Sequence, residues 1–153
     1  MAIEKLDASL TLDHAIIDHD HQELFETIQT VNAIIASVNA DADDREWSSR
    51  VASAIDALRA ATIAHFRSEE TIMRMGAYPG IDAHRHQHVL LIDELDRFLS
   101  GRLVPGPEGS RLAVKFLEEW FEFHIRIWDS ALVRWLKGHD GKRAKRSGTG
   151  SAS

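Results

Sequence analysis

Residues 44–75, DREWSSRVASAIDALRAATIAHFRSEETIMRM, decide the fold. Trp47, Val51, Ile55, Leu58, Thr62, His65, Glu69 and Ile72 recur at intervals of three and four, which puts them on one face of an α-helix. The first half of that face is mostly apolar. The second half carries an imidazole and a carboxylate where a helix normally buries hydrocarbon.

The same periodicity extends in both directions. Upstream, a helix over about Asp13–Val38 presents Ile17, His21, Leu24, Ile28, Val31, Ile35 and Val38. The Asp- and Asn-rich stretch Asn39–Asp44 can end it and cap the next helix. Downstream, Gly76-Ala77-Tyr78-Pro79-Gly80 is a stop. Gly76 can take the left-handed conformation at a helix end, and Pro79 restricts the residue before it. A third helix over about Ile81–Leu99 turns Ile81, His84, His88, Leu91, Leu95 and Phe98 inward. After a loop over Gly101–Gly109, a fourth over about Glu108–Lys137 presents Ala113, Leu117, Trp120, His124, Trp128, Ala131 and Trp135.

Four long patterns joined by short connections predict an all-α, up-down-up-down four-helix bundle over residues 1–136. A short N-terminal arm with Leu6, Leu10 and Leu12 is expected to pack over one end. Residues 137–153 read as a basic, then Ser/Gly-rich flexible tail.

At 153 residues the chain suits one domain with a real core. All but five of its 18 basic residues, and all but one of its 24 acidic residues, precede Lys137, leaving a net charge of -10 there. That acidic body disfavours nucleic acid as a partner. There is no cysteine, hence no disulfide framework and no thiolate chemistry. The N-terminus lacks a secretory pattern, and no apolar run is long enough to cross a bilayer. A cytoplasmic protein with no membrane insertion is expected.

Counted from turns near residues 41, 78 and 104, the inward polar residues of all four helices fall within about one helical turn of a common level, roughly 6 Å. They are His21, His65, Glu69, His84, His88, His124 and, less tidily, Asp129. Asp129 stands five residues beyond His124, about 140° further round an α-helix, so it must reach in from the edge of the face. His14, His19, His86 and His139 are expected off this set, and Glu70 at the surface.

Burying five imidazoles and two carboxylates without partners would cost several kcal/mol per group. Metal ions would satisfy them together. Nitrogen and carboxylate donors without sulfur suit iron, manganese, zinc or cobalt, and seven donors exceed the four of a structural zinc. They divide as three nitrogens on one metal and two on the other, with both carboxylates bridging. If a solvent-derived oxygen also bridges, the two-nitrogen metal is left one position short, where a diatomic ligand could bind. A diiron site is the leading reading.

At this point the residues resemble the hemerythrins, specifically the bacterial ones. Ile17-Asp18-His19-Asp20-His21-Gln22-Glu23-Leu24-Phe25 looks like the first ligand motif, and His65-Phe66-Arg67-Ser68-Glu69-Glu70 with Met73 and Tyr78-Pro79 looks like the second. His84 with His88, and Trp120-Phe121 leading to His124-Ile125 and Asp129, match the remainder. Asp20 and Phe121 differ from the residues usual at those positions, which bears on the hydrogen bond around His21 and on the pocket.

The resemblance implies two iron ions (Fe2+/Fe3+) joined by an oxo or hydroxo bridge. His84, His88 and His124 would hold one, His21 and His65 the other, and Glu69 and Asp129 would span both. It further implies reversible dioxygen binding for transport, storage or delivery. Since oxygen returns unchanged, that is binding rather than enzymatic turnover. The competing expectations are an oxygen or redox sensing module and a diiron oxidase or peroxidase. Beyond dioxygen, an oxygen-using or signalling protein is the expected partner.

Overall fold

A computed structural model of the chain describes residues 7–37, 44–101 and 107–147. A single 3-10 turn, Ala8–Leu10, precedes α1 (Ala15–Ala36), α2 (Asp44–Met75) and α3 (Ile81–Gly101). The fourth helix starts as α4 (Pro107–His124), passes through one π-helical turn (Ile125–Asp129) and continues as α5 (Ser130–Ser147). Leu6, Val38, Asn39–Asp43, Pro105 and residues 148–153 lie outside the described residues. The backbone beyond Lys137, expected as flexible tail, is helical through Ser147. The Lys, Arg and Ala residues in that stretch are good helix formers, and one or two glycines do not cancel them.

Two apolar clusters show how the helices run. The larger contains Leu24, Ile28, Leu58, Leu95, Leu117 and Ile125 among others. The smaller is built on Ile17, Met73, Leu132 and Val133, with Ile81 packed against it. Along α1 and α3 the chain passes from the small cluster to the large one, and along α2 and the fourth helix it passes back. This is the up-down-up-down order. Each helix crosses from one cluster to the other through its candidate ligands, so the bundle has a polar layer between two apolar ones.

The ends of the helices are set locally. His14 is the N-cap of α1, its Nδ1 accepting from the Ile17 amide at 3.4 Å. The Asp18 carboxylate accepts from the Leu12 and His14 amides at 2.8 and 3.0 Å, which ties the arm to the first turn. The described part of the arm, from Asp7 onward, does not cover the bundle end as expected. It lies against the fourth helix, where Arg126 donates to the Ser9 hydroxyl and Lys137 to the Leu12 carbonyl, each at 3.1 Å. Leu10 is buried there in the large cluster.

At the end of α2 the left-handed residue is Ala77 (φ 52°), not Gly76. The Tyr78 amide reaches back to the Met73 carbonyl and the Ala77 amide to Arg74, the two hydrogen bonds of a Schellman cap. Gly76 is needed for another reason: a Cβ there would sit 2.7 Å from the Leu136 side chain.

The π turn is the largest departure from the sequence reading. Its hydrogen bonds span five residues instead of four, so one extra residue is accommodated in a single turn. Downstream, the buried positions become Asp129, Leu132 and Val133, whereas Trp128, Ala131 and Trp135, expected to be inward, are only partly buried.

Candidate metal centre

Each helix delivers its polar residues at the level between the two clusters. α1 brings His21, α2 His65 and Glu69, α3 His84 and His88, and the fourth helix His124 and Asp129. All seven are at most 5% exposed. The i,i+4 pairs on α2 and α3 follow from ordinary helical spacing. Asp129 does not. The π turn lets a residue five positions after His124 share its face, and Asp129 is fully buried rather than reaching in from an edge.

The side chains converge through their Nε2 atoms. Asp129 Oδ1 lies 2.9 Å from His124 Nε2 and 3.1 Å from His84 Nε2, while its Oδ2 lies 3.0 Å from His21 Nε2. Glu69 Oε2 lies 3.2 Å from His88 Nε2 and 3.7 Å from His84 Nε2, and Oε1 lies 3.8 Å from His65 Nε2. Donor atoms within 4.8 Å of one another form two groups: Glu69, His84, His88, His124 and Asp129, and His21, His65, Glu69 and Asp129. Both carboxylates belong to both groups.

Charge inside this layer is balanced by protons when no metal is bound. Burial pushes His124 down, but Asp129 and Glu69 outweigh it and lift the imidazole to about 9. For His65 burial is again opposed, by Glu69 and Asp20, with a net rise. Burial pushes Asp129 up, yet contact with His124, His21 and His84 holds it well below the usual carboxylate range. Protons do this job imperfectly. Among the described residues neither Glu69 oxygen has a hydrogen bond, and His88 Nε2, though 3.2 Å from Glu69, makes none either. A fully buried carboxylate with both oxygens unpaired fits a cation as its partner.

The Hemerythrin HHE cation binding domain model matches residues 12–136. The chain belongs to the hemerythrin family. It is 28% identical over 146 residues to a bacteriohemerythrin of Ralstonia nicotianae, covering 93% of this chain and 96% of that protein. A bacteriohemerythrin of Methylococcus capsulatus is 26% identical over 112 residues, with 71% and 76% covered. A crystal structure of a hemerythrin variant superposes with a TM-score of 0.65 at 24% identity, covering 89% of this chain and 98% of that one, a likeness of fold.

Beside the hemerythrin cluster is a cavity of about 10 Å³, bordered by His65, His124 and Asp129 and otherwise apolar. Of its apolar walls, Leu24, Leu91 and Trp120 stood on inward faces in the sequence. Phe66, Phe121 and Ile125 did not, because each directly follows a residue on the main stripe and widens the buried face. The Trp120 indole donates to the Leu91 carbonyl at 3.2 Å, which fixes one wall. Phe66 stacks on His88, with ring centroids 3.9 Å apart and planes 4° apart.

Two carboxylates outside the seven also approach ligand imidazoles. Glu70, expected at the surface, lies 3.2 Å from His88 Nδ1 through Oε1 and 3.2 Å from Arg85 through Oε2. Asp20 adjoins His21 in sequence, but faces His65 Nδ1, at 3.7 Å. That distance suits an ion pair and is too long for a direct hydrogen bond. The other histidines stay off the cluster: His14 caps α1, His19 pairs with exposed Glu23, His86 is exposed and His139 stacks on Trp135.

Proposed function

We propose that this hemerythrin binds dioxygen reversibly at a diiron centre, for transport, storage or delivery to an oxygen-using partner. His84, His88 and His124 would hold one iron and His21 and His65 the other, with Glu69 and Asp129 within reach of both. The observation that carries the reading is the cavity of about 10 Å³ against His65, His124 and Asp129. Such a volume is about that of one small molecule. It suits a diatomic ligand and is too small for an organic substrate.

Ferrous ions would supply the electrons that hold dioxygen. The chain's residues do the rest. Leu24, Phe66, Leu91, Trp120, Phe121 and Ile125 keep water out, which strengthens every electrostatic interaction inside and limits proton delivery. Five neutral imidazoles, compared with a carboxylate-rich site, leave more positive charge on the metals.

The test is iron content together with the visible spectrum, before and after anaerobic reduction and admission of air. Two irons per chain and an absorption band that appears with oxygen and leaves on its removal are expected. A fully iron-loaded, reduced sample that takes up no oxygen would refute this role. A sensing role is favoured by one observation: the helix bearing Asp129 continues without interruption to Ser147. Hydrogen exchange along α5 that is identical in oxidised and reduced protein would count against it.

A further inference from the structure

Among the five imidazoles of the centre, His88 is held both on a ring face and at its outer nitrogen. Phe66 lies flat against its ring, and Glu70 stands at hydrogen-bonding distance from Nδ1. Glu70 is itself only 19% exposed and is held by Arg85 through its second oxygen. Among the described residues the Nδ1 atoms of His21, His84 and His124 are buried without a hydrogen-bond partner, and that of His65 faces Asp20 at the longer distance. Each of the two ligand groups therefore contains one carboxylate-backed histidine, and the two are unequal. His88, in the three-histidine group, is fixed directly; His65, in the two-histidine group, is held loosely.

A carboxylate on the outer nitrogen of a ligand histidine selects the tautomer that offers Nε2 to the metal, fixes the ring and raises its basicity. We propose that Glu70, braced by Arg85, is a positioning residue that makes the three-histidine group the tighter metal site and the first to fill. Asp20 serves the two-histidine group in the weaker form. The geometry of the empty-handed residues favours the same order, because His84 and His124 already converge on one oxygen of Asp129 within 3.1 Å. The inference rests on the seven residues being metal ligands, but not on dioxygen binding.

The experiment titrates metal-free full-length protein with Co2+ under nitrogen, following visible absorption and the shifted imidazole N–H resonances. Two steps are expected, with resonances of the three-histidine group appearing before one equivalent is reached. Glu70→Ala should weaken the first step roughly 10- to 100-fold and leave the second within about threefold. Glu70→Gln, which keeps an acceptor at Nδ1, should recover part of that loss, and Asp20→Asn should weaken only the second step. Unchanged steps in Glu70→Ala, or equal weakening of both with an unchanged melting temperature of the metal-free protein, would overturn the proposal. Should Glu70→Ala fail to fold, Arg85→Gln provides the same comparison with Glu70 unbraced, and a first step identical to that of the parent chain would be equally fatal. Because no oxygen or iron is used, failure here is separate from failure of oxygen binding.

Discussion

Raising the pH should destabilise the metal-free protein and tighten metal binding at the same time. His124 contributes directly to this effect. Its imidazole is lifted from 6.5 to about 9 by Asp129 and Glu69 against the opposing effect of burial. The folded chain thus holds that proton more tightly than the unfolded chain does. The resulting stabilisation is complete below about pH 6.5, and is lost as pH rises through about 9. The difference corresponds to up to about 3 kcal/mol. For a chain of this size each kcal/mol moves the melting temperature by about 2–4 °C, so a fall of about 6–12 °C is expected across the window. His65, also raised, acts with the same sign. Glu69 and Asp129, both lowered, define the opposite limb: their contribution is present above the ordinary carboxylate range and is lost as pH falls.

Metal binding has the reverse slope, because an ion must displace the His124 proton to reach Nε2. Between pH 6.5 and 9, affinity should rise by up to about tenfold per unit for each proton displaced. Calorimetry of the metal-free protein, paired with metal titrations at the same pH values, measures both slopes. A melting temperature that is flat or rises from pH 6.5 to 9 in the metal-free protein would refute the reasoning. So would a metal affinity independent of pH.

Other consequences concern the scaffold. Ala77→Gly should raise stability by roughly 1 kcal/mol, because φ 52° is costly for alanine, whereas Gly76→Ala should lower it by pushing Leu136 aside; thermal melts decide both. Trp120→Phe removes the hydrogen bond to the Leu91 carbonyl and should cost about 1 kcal/mol, while a larger cavity speeds oxidation of the iron-loaded protein in air. Deleting Ile127, exposed within the π turn, turns the His124–Asp129 spacing into i,i+4 and leaves Leu132 and Val133 facing inward. The shortened chain should still bind two metals, and loss of one on elemental analysis would show that the π geometry itself is required.

Most of the bundle was legible because α1, α2 and α3 are regular. On those helices a residue's inward position follows from counting, and Ile17, His21, Leu58, Glu69, His84 and Leu95 all sit where the period puts them. The count failed where the backbone changed period. Nothing in Ile125-Arg126-Ile127-Trp128-Asp129 announces a π turn by composition, so the α-helical period puts Trp128 and Ala131 in the core ahead of Leu132 and Val133. The one local hint was Asp129 itself, a carboxylate the site needs at a spacing an α-helix cannot supply. Glu70 departs from its expected surface position for a different reason. Its neighbour Glu69 occupies the inward position, and sequence spacing on α2 gives no view of Arg85 and His88 approaching from α3.

The polar layer is tolerable because of what flanks it. Burying seven titratable groups at one level would favour local opening if the helices were anchored on one side only. Here every helix is pinned above and below the layer, by Ile17 and Leu24 on α1, by Leu58 and Met73 on α2, by Ile81 and Leu95 on α3, and by Leu117 and Leu132 on the fourth. The imidazoles therefore have little freedom to turn outward even when protons alone balance the carboxylates. This separates the hemerythrin bundle from small domains whose folding waits on their metal. The packing energy of two apolar clusters holds the ligands in place, and metal affinity gains from geometry that the fold has already imposed.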